Sequence, residues 1–204
     1  KSELIQVAGV ADPVASLAQE ATECAPTAHR CATMDELFSC DIEAVVIATP
    51  SALHAEQAIA ALEADLAVFC QKPLGRTAGE VNQVLEAARK ADRLLGVDFS
   101  YRHLSATEAI RQVIRTGGIG DIFSVNLVFH NAYGPDKAWF YDVRQSGGGC
   151  LMDLGIHLVD LLLWILDYPQ VTHVASRLFA QGRPLSGRQE CVEDYAAAVL
   201  TFAN

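Results

Sequence analysis

Paired cysteines are missing from this sequence: its six cysteines (Cys24, Cys31, Cys40, Cys70, Cys150, Cys191) are scattered, with no CxxC among them. No structural zinc site is indicated, and the thiols read as small apolar packing residues of a reducing, cytoplasmic compartment. Basic residues are also scarce, 15 against 25 acidic ones for a net charge of −10. A protein that grips a nucleic-acid backbone needs clustered Lys and Arg to replace counterions, so no nucleic-acid partner is expected and small molecules are. No apolar run reaches the roughly 20 residues that span a bilayer. The longest, Leu151 to Leu166, is interrupted by Asp153, His157 and Asp160. Leu4 to Ala11 runs into Asp12-Pro13 instead of a small-residue cleavage site, so neither a membrane partner nor a signal peptide is expected.

What is present is an apolar majority, 51% of 204 residues, too high for a disordered chain and enough for one large core or two small ones. In the first half, short apolar runs alternate with amphipathic stretches, the pattern of a parallel sheet covered by helices. Strands are expected at Leu4 to Ala11, Ala44 to Ala48, Leu66 to Cys70 and Leu94 to Asp98. Between them, helical stripes recur as Val14, Leu17, Ala18 and Ala21, as Ala55, Ala58, Ile59 and Leu62, and as Val81, Val84, Leu85 and Ala88. Thr33 with Glu36, Thr77 with Glu80, and Ser105 with Glu108 each have the spacing of a capping box. Units of this kind cross over right-handedly and place their ligand crevice at the carboxyl ends of the strands.

After Asp98 the pattern changes. A helix is expected from Ser105 to Thr116, closing on Gly117-Gly118. Phe123, Val125, Leu127 and Phe129 then alternate with Ser124, Asn126 and His130, as in a strand with one buried face. Val171 to Ala180 and Tyr195 to Phe202 also read as extended. The expected fold class is therefore α/β, with a parallel-sheet domain over residues 1–98 and an open, mainly antiparallel sheet with helices over 99–204. Gly117, Gly118 and Gly120 follow a helix and precede a strand, the reverse of a phosphate loop, and read as cap and turn glycines.

Three places could carry chemistry. In the run from Gly147 to Asp160, Asp153, His157 and Asp160 fall within about 60° of one helix face among apolar residues. A carboxylate four residues from an imidazole can orient the ring and raise its basicity, which suits a general base, although the stripe would also suit a water-facing side. The three glycines before it allow close approach of a ligand or another segment. Lys72, in Gln71-Lys72-Pro73, follows a strand, and the proline holds it extended at the crevice rim. Asp12 ends the first visible strand, where a dinucleotide fold hydrogen-bonds the adenosine ribose; Asp12-Pro13 is equally an ordinary helix start. Counting back from Asp12, the glycine-rich turn of such a fold falls before residue 1.

The order Ala11-Asp12-Pro13, Ala48-Thr49-Pro50 with His54, Gln71-Lys72-Pro73, Tyr101-Arg102, Trp139 and Gly147 to His157 resembles the glucose-fructose oxidoreductase, inositol dehydrogenase and rhizopine catabolism (Gfo/Idh/MocA) family over essentially the whole chain. That resemblance implies a Rossmann domain lacking its first strand and glycine loop, joined to an incomplete C-terminal α/β domain. It implies NAD(P)-dependent hydride transfer to or from a secondary alcohol of a sugar, cyclitol or related polyol. It also implies a homo-oligomer when the protein is full length. By position, Lys72, His157 and Asp153 are implied as catalytic. Asp12, Ala48, Thr49, Pro50, His54, Gln71 and Lys72 are implied for cofactor binding, and Tyr101, Arg102, Trp139, Asp153 and His157 for substrate. NAD is favoured over NADP, because Asp12 repels a 2′-phosphate and no arginine follows it directly. One departure is Gln71 in place of the glutamate of the family's Glu-Lys-Pro motif, which removes a negative charge beside Lys72. Two alternatives stay open: a non-catalytic nucleotide- or sugar-binding relative or inactive fragment, and a metal-dependent lyase or hydrolase built on Asp153, His157, Asp160 and His130.

Overall fold

The structure, a computed structural model, describes residues 5–186 and 191–203, so Leu4 at the start of the first expected strand lies outside it. Alternation in β3 (Ala44–Ile47) turns Val45 and Ile47 to a buried side and leaves Val46 exposed on the other. β3 pairs in parallel with β4 (Ala67–Gln71), and β4 with β5 (Leu95–Asp98). The crossovers are α3 (Ser51–Glu63) and α4 (Ala78–Ala91), and their apolar stripes share one core with the sheet. Ala55, Ala58, Ala61 and Leu62 from α3, and Val84 and Ala88 from α4, pack on Val45, Ile47, Val68 and Cys70. Burial pushes the Cys70 thiol up to about 12, so it is an inert packing residue.

A second, smaller parallel pair joins β1 (Gly9–Ala11) to β2 (His29–Cys31), linked by α1 (Ala15–Cys24), and α2 (Met34–Phe38) leads on to β3. Among the described residues no ladder joins β1 to β3, so the parallel sheet stands in two pieces. Two of the expected caps form: Thr33 and Thr77 hydroxyls each accept from the backbone N–H three residues on, at 3.1 Å, while Glu36 and Glu80 accept from the backbone N–H of the residue before the cap, Ala32 and Arg76. The third does not. Leu104 holds the cap position of α5 (Ser105–Arg115), Ser105 is already helical, and the Thr107 hydroxyl instead donates to the carbonyls of Tyr101 and Leu104. Asp12 is likewise no helix cap, because α1 starts three residues later and the Asp12 carboxylate accepts from Val14 N–H at 2.7 Å in a local turn.

In the second half, β6 (Val171–Ala180) is the centre of an antiparallel sheet, with β7 (Arg183–Pro184) on one side and β8 (Tyr195–Phe202) on the other. The strand expected around Phe123 to Phe129 is absent: no ladder includes residues 121–130, and Phe123 is 99% exposed. Alternation fixes which side chains share a face, but a strand also needs a partner, and here β6 pairs with β7 and β8. Between α5 and β6 lie α6 (Val143–Ser146), a π turn at Leu151–Gly155 and α7 (Ile156–Ile165). The stretch Val143–Ile165 is long and apolar enough to cross a membrane by length and composition alone, longer than the run read from sequence. Two of its polar residues are held by cations from earlier in the chain, Asp153 by Lys72 and Asp160 by Arg102.

Candidate active site

β4 ends at Gln71, so Lys72 and Pro73 leave the sheet at its carboxyl edge, and the Lys72–Pro73 bond is cis. Lys72 Nζ reaches across to the second half of the chain, donating to Asp153 Oδ1 at 2.6 Å and to the Asp153 carbonyl at 2.7 Å. The π turn makes this possible. Asp153, His157 and Asp160 do not advance by a constant 100°, because Leu151–Gly155 is wound more widely, and the turn presents both the side chain and carbonyl of Asp153 to the ammonium.

His157 opens α7 and is 9% exposed. Its ring stacks on Tyr101, centroids 4.6 Å apart and planes within 21°. Nδ1 is enclosed and, among the described residues, takes no hydrogen bond. Burial holds the imidazole below its ordinary pKa, the Lys72 ammonium adds to this, and the carboxylates of Asp153, Asp160 and Asp98 oppose it. The His157 imidazole is thus neutral at neutral pH. Asp160 is bound through both oxygens by Arg102, whose Nε donates at 2.8 Å. The same guanidinium lies over the Phe99 ring at 5.0 Å.

The other sequence candidates are placed as follows. His54 is buried, with its ring nitrogens each 2.7 Å from a carbonyl oxygen, of Thr49 and of Pro73, tying the two strand-end loops together. Thr49 Oγ1 donates to Gln57 Oε1 at 2.6 Å, Pro50 is half-buried beside it, and Ala48 is exposed. Gln71 Nε2 donates to Asp98 Oδ2 at 2.7 Å. Trp139 stacks on Phe140, centroids 3.8 Å apart. Among the described residues no hydrogen bond or ring contact joins Trp139 to Lys72, Asp153 or His157.

The metal-dependent alternative finds no support. Asp153 is committed to Lys72 and Asp160 to Arg102, His130 is exposed, and no group of three ligating side chains gathers among the described residues. The glycines before the helix serve a neighbouring segment. A Cβ at Gly149 would stand 1.9 Å from the Glu193 carbonyl oxygen, and Gly147 takes φ +84°. The buried Glu193 accepts from Gly149 N–H at 2.8 Å and Leu151 N–H at 2.9 Å, satisfying amides at the start of the helical run. Sequence reasoning missed Glu193 and Asp98, whose only signal is an acid just before β8 and another at the end of β5.

A parallel sheet with crossover helices, whose strand-end loop carries a lysine that meets a carboxylate of the second half close in sequence to a buried histidine, defines a Rossmann-type nucleotide-binding α/β protein. The chain belongs to the Gfo/Idh/MocA family of oxidoreductases: residues 1–99 match its NAD-binding Rossmann-fold model and residues 107–204 its C-terminal domain model. It is 35% identical to 1,5-anhydro-D-fructose reductase of Ensifer adhaerens over 129 residues, 62% of this chain and 38% of that protein. Among solved structures it resembles GenD2 from gentamicin A biosynthesis in complex with NAD, at TM-score 0.88 and 26% identity over 97% of this chain and 55% of that one. It also resembles levoglucosan dehydrogenase in complex with NADH and levoglucosan, at TM-score 0.78 and 27% identity over 97% and 55% of the two chains. The chain thus spans 38% of that reductase and 55% of each solved chain.

Proposed function

We propose that this chain carries the cofactor and substrate site of an NAD-dependent oxidoreductase acting on a secondary alcohol of a sugar, cyclitol or related polyol, with residues 1–98 serving the cofactor and 99–204 the substrate. The observation that carries the reading is the Lys72–Asp153 contact of 2.6 Å, which joins the two halves beside a buried, neutral histidine. The residues fit a dinucleotide. The loops after β3 and β4 leave the sheet at its carboxyl edge and are tied by His54, and the Asp12 carboxylate stands at the end of β1. Asp12 would hold the adenosine ribose, Ala48, Thr49, Pro50 and His54 would line the crevice, and Gln71-Lys72 would border the nicotinamide. When bound, the nicotinamide ring supplies the hydride acceptor or donor.

The chain's own groups manage charge and protons. A lysine ammonium has three N–H donors, and two of them are spent on Asp153, which leaves one for the substrate oxygen where negative charge develops. In the oxidising direction His157 takes the hydroxyl proton, and because Nδ1 is enclosed, Nε2 is the atom left to meet that hydroxyl. Tyr101 holds the ring plane, and Arg102 and Trp139 border the substrate side. One named relative is a 1,5-anhydro-D-fructose reductase and another is a levoglucosan dehydrogenase solved with levoglucosan, which supports the polyol class. The scattered cysteines, with no CxxC among them, support a cytoplasmic setting, and a homo-oligomer is part of the same reading. The test is turnover followed by nicotinamide absorbance across a polyol panel. Activity is expected with at least one polyol, with kcat lowered about 100- to 1,000-fold by Lys72→Met. Unaltered turnover in Lys72→Met and in His157→Gln would overturn the assignment.

A further inference from the structure

Gln71 and Asp98 are direct partners in the β4–β5 register, at the carboxyl ends of adjacent parallel strands, and the Gln71 amide donates to the Asp98 carboxylate at 2.7 Å. An ionised carboxylate can only accept hydrogen bonds, so a glutamate at 71 would set two acceptors and two like charges against each other. We propose that acid and amide are exchanged across this strand pair. Asp98, held by Gln71, supplies beside His157 the carboxylate charge that the glutamate of a Glu-Lys-Pro sequence would carry, and acts as a positioning residue for the imidazolium. This rests on the oxidoreductase reading above.

The charges around His157 single out Asp98. Lys72 follows β4, Asp153 lies in the π turn, Asp160 lies on α7, Arg102 comes from the turn after β5 along with the stacked Tyr101, and Asp98 ends β5. Asp153 is neutralised by Lys72 and Asp160 by Arg102, each at hydrogen-bond distance. Asp98 is bound to a neutral amide and, among the described residues, has no cationic partner. Its charge is therefore the uncompensated one of the three. A carboxylate so placed favours the imidazolium that forms when His157 takes a proton, and the amide of Gln71 fixes its position.

The test uses Asp98→Asn, Gln71→Glu and the double exchange Gln71→Glu/Asp98→Asn, all nearly isosteric, with melting curves as the check on folding. The readout is the titration of the His157 ring by NMR, assigned with His157→Gln. Asp98→Asn is expected to lower the midpoint by about half a pH unit, and the double exchange to bring it back towards the wild-type value. Gln71→Glu alone is expected to add a further titration near neutrality, as two facing carboxylates share one proton. A midpoint indifferent to Asp98→Asn, or a double exchange that stays with Asp98→Asn, overturns the inference. If Gln71→Glu melts, the other two variants decide. An imidazole that follows Asp98 in a protein that turns over no polyol removes the proposed function alone. A working polyol dehydrogenase whose imidazole ignores Asp98 removes this inference alone.

Discussion

His157 is the residue whose surroundings do most to define the site. Its pKa is held down mainly by burial, so the unfolded chain binds this proton more readily than the native one does. Native stability attributable to His157 is full above the ordinary histidine value of 6.5 and is lost as the pH falls below it towards the lower folded value. Melts at about pH 8 and about pH 5.5 are expected to show a larger loss of stability on acidification in the wild type than in His157→Gln. Equal losses would mean that the ring is not protected from protonation. Lys72, Asp153 and His157 could be singled out from the sequence because each stands in an unusual local setting: a lysine before proline at a strand end, and two polar residues in an apolar run. Asp98 and Glu193 could not. The first acts on Gln71, 27 residues away, and the second on Gly149, 44 residues away, and neither has a local signature.

At the level of elements, helices whose signal is local matched their expected places closely. Thr33 and Thr77 cap α2 and α4, while Ser105 has the same spacing to Glu108 but sits one residue inside α5. Thr33→Ala and Thr77→Ala are each expected to cost about 1 kcal/mol in chemical denaturation, with Ser105→Ala costing much less. Similar losses at all three positions would show that the hydroxyls do not act as caps. Strands were legible for β3, β4 and β5, where a crossover helix brings a partner alongside, and for β6 and β8, whose apolar runs find each other antiparallel, but not for Phe123 to Phe129, whose alternation finds no ladder partner among the described residues. The three-residue β2 was missed because His29–Cys31 is too short to show alternation. The π turn was invisible for another reason: periodicity assumes a constant rotation per residue, and Leu151–Gly155 departs from it where Asp153 must turn to Lys72.

Across the whole molecule, charge ties distant stretches of the chain together. Lys72 binds Asp153 across the two halves, and within the second half Arg102 binds Asp160 and Arg111 binds Asp167 at 2.6 Å. The first two pairs involve residues on either side of His157 in the chain, so the contact that joins the halves also builds the site. The central claim is that Lys72 and His157 serve one reacting oxygen, and a double-mutant cycle in turnover tests it most directly. Groups that act on the same oxygen as a unit lose most of their effect together. Lys72→Met/His157→Gln is therefore expected to reduce kcat little further than the worse of the two single variants. Losses that multiply in full would place the two groups in separate tasks and contradict the account.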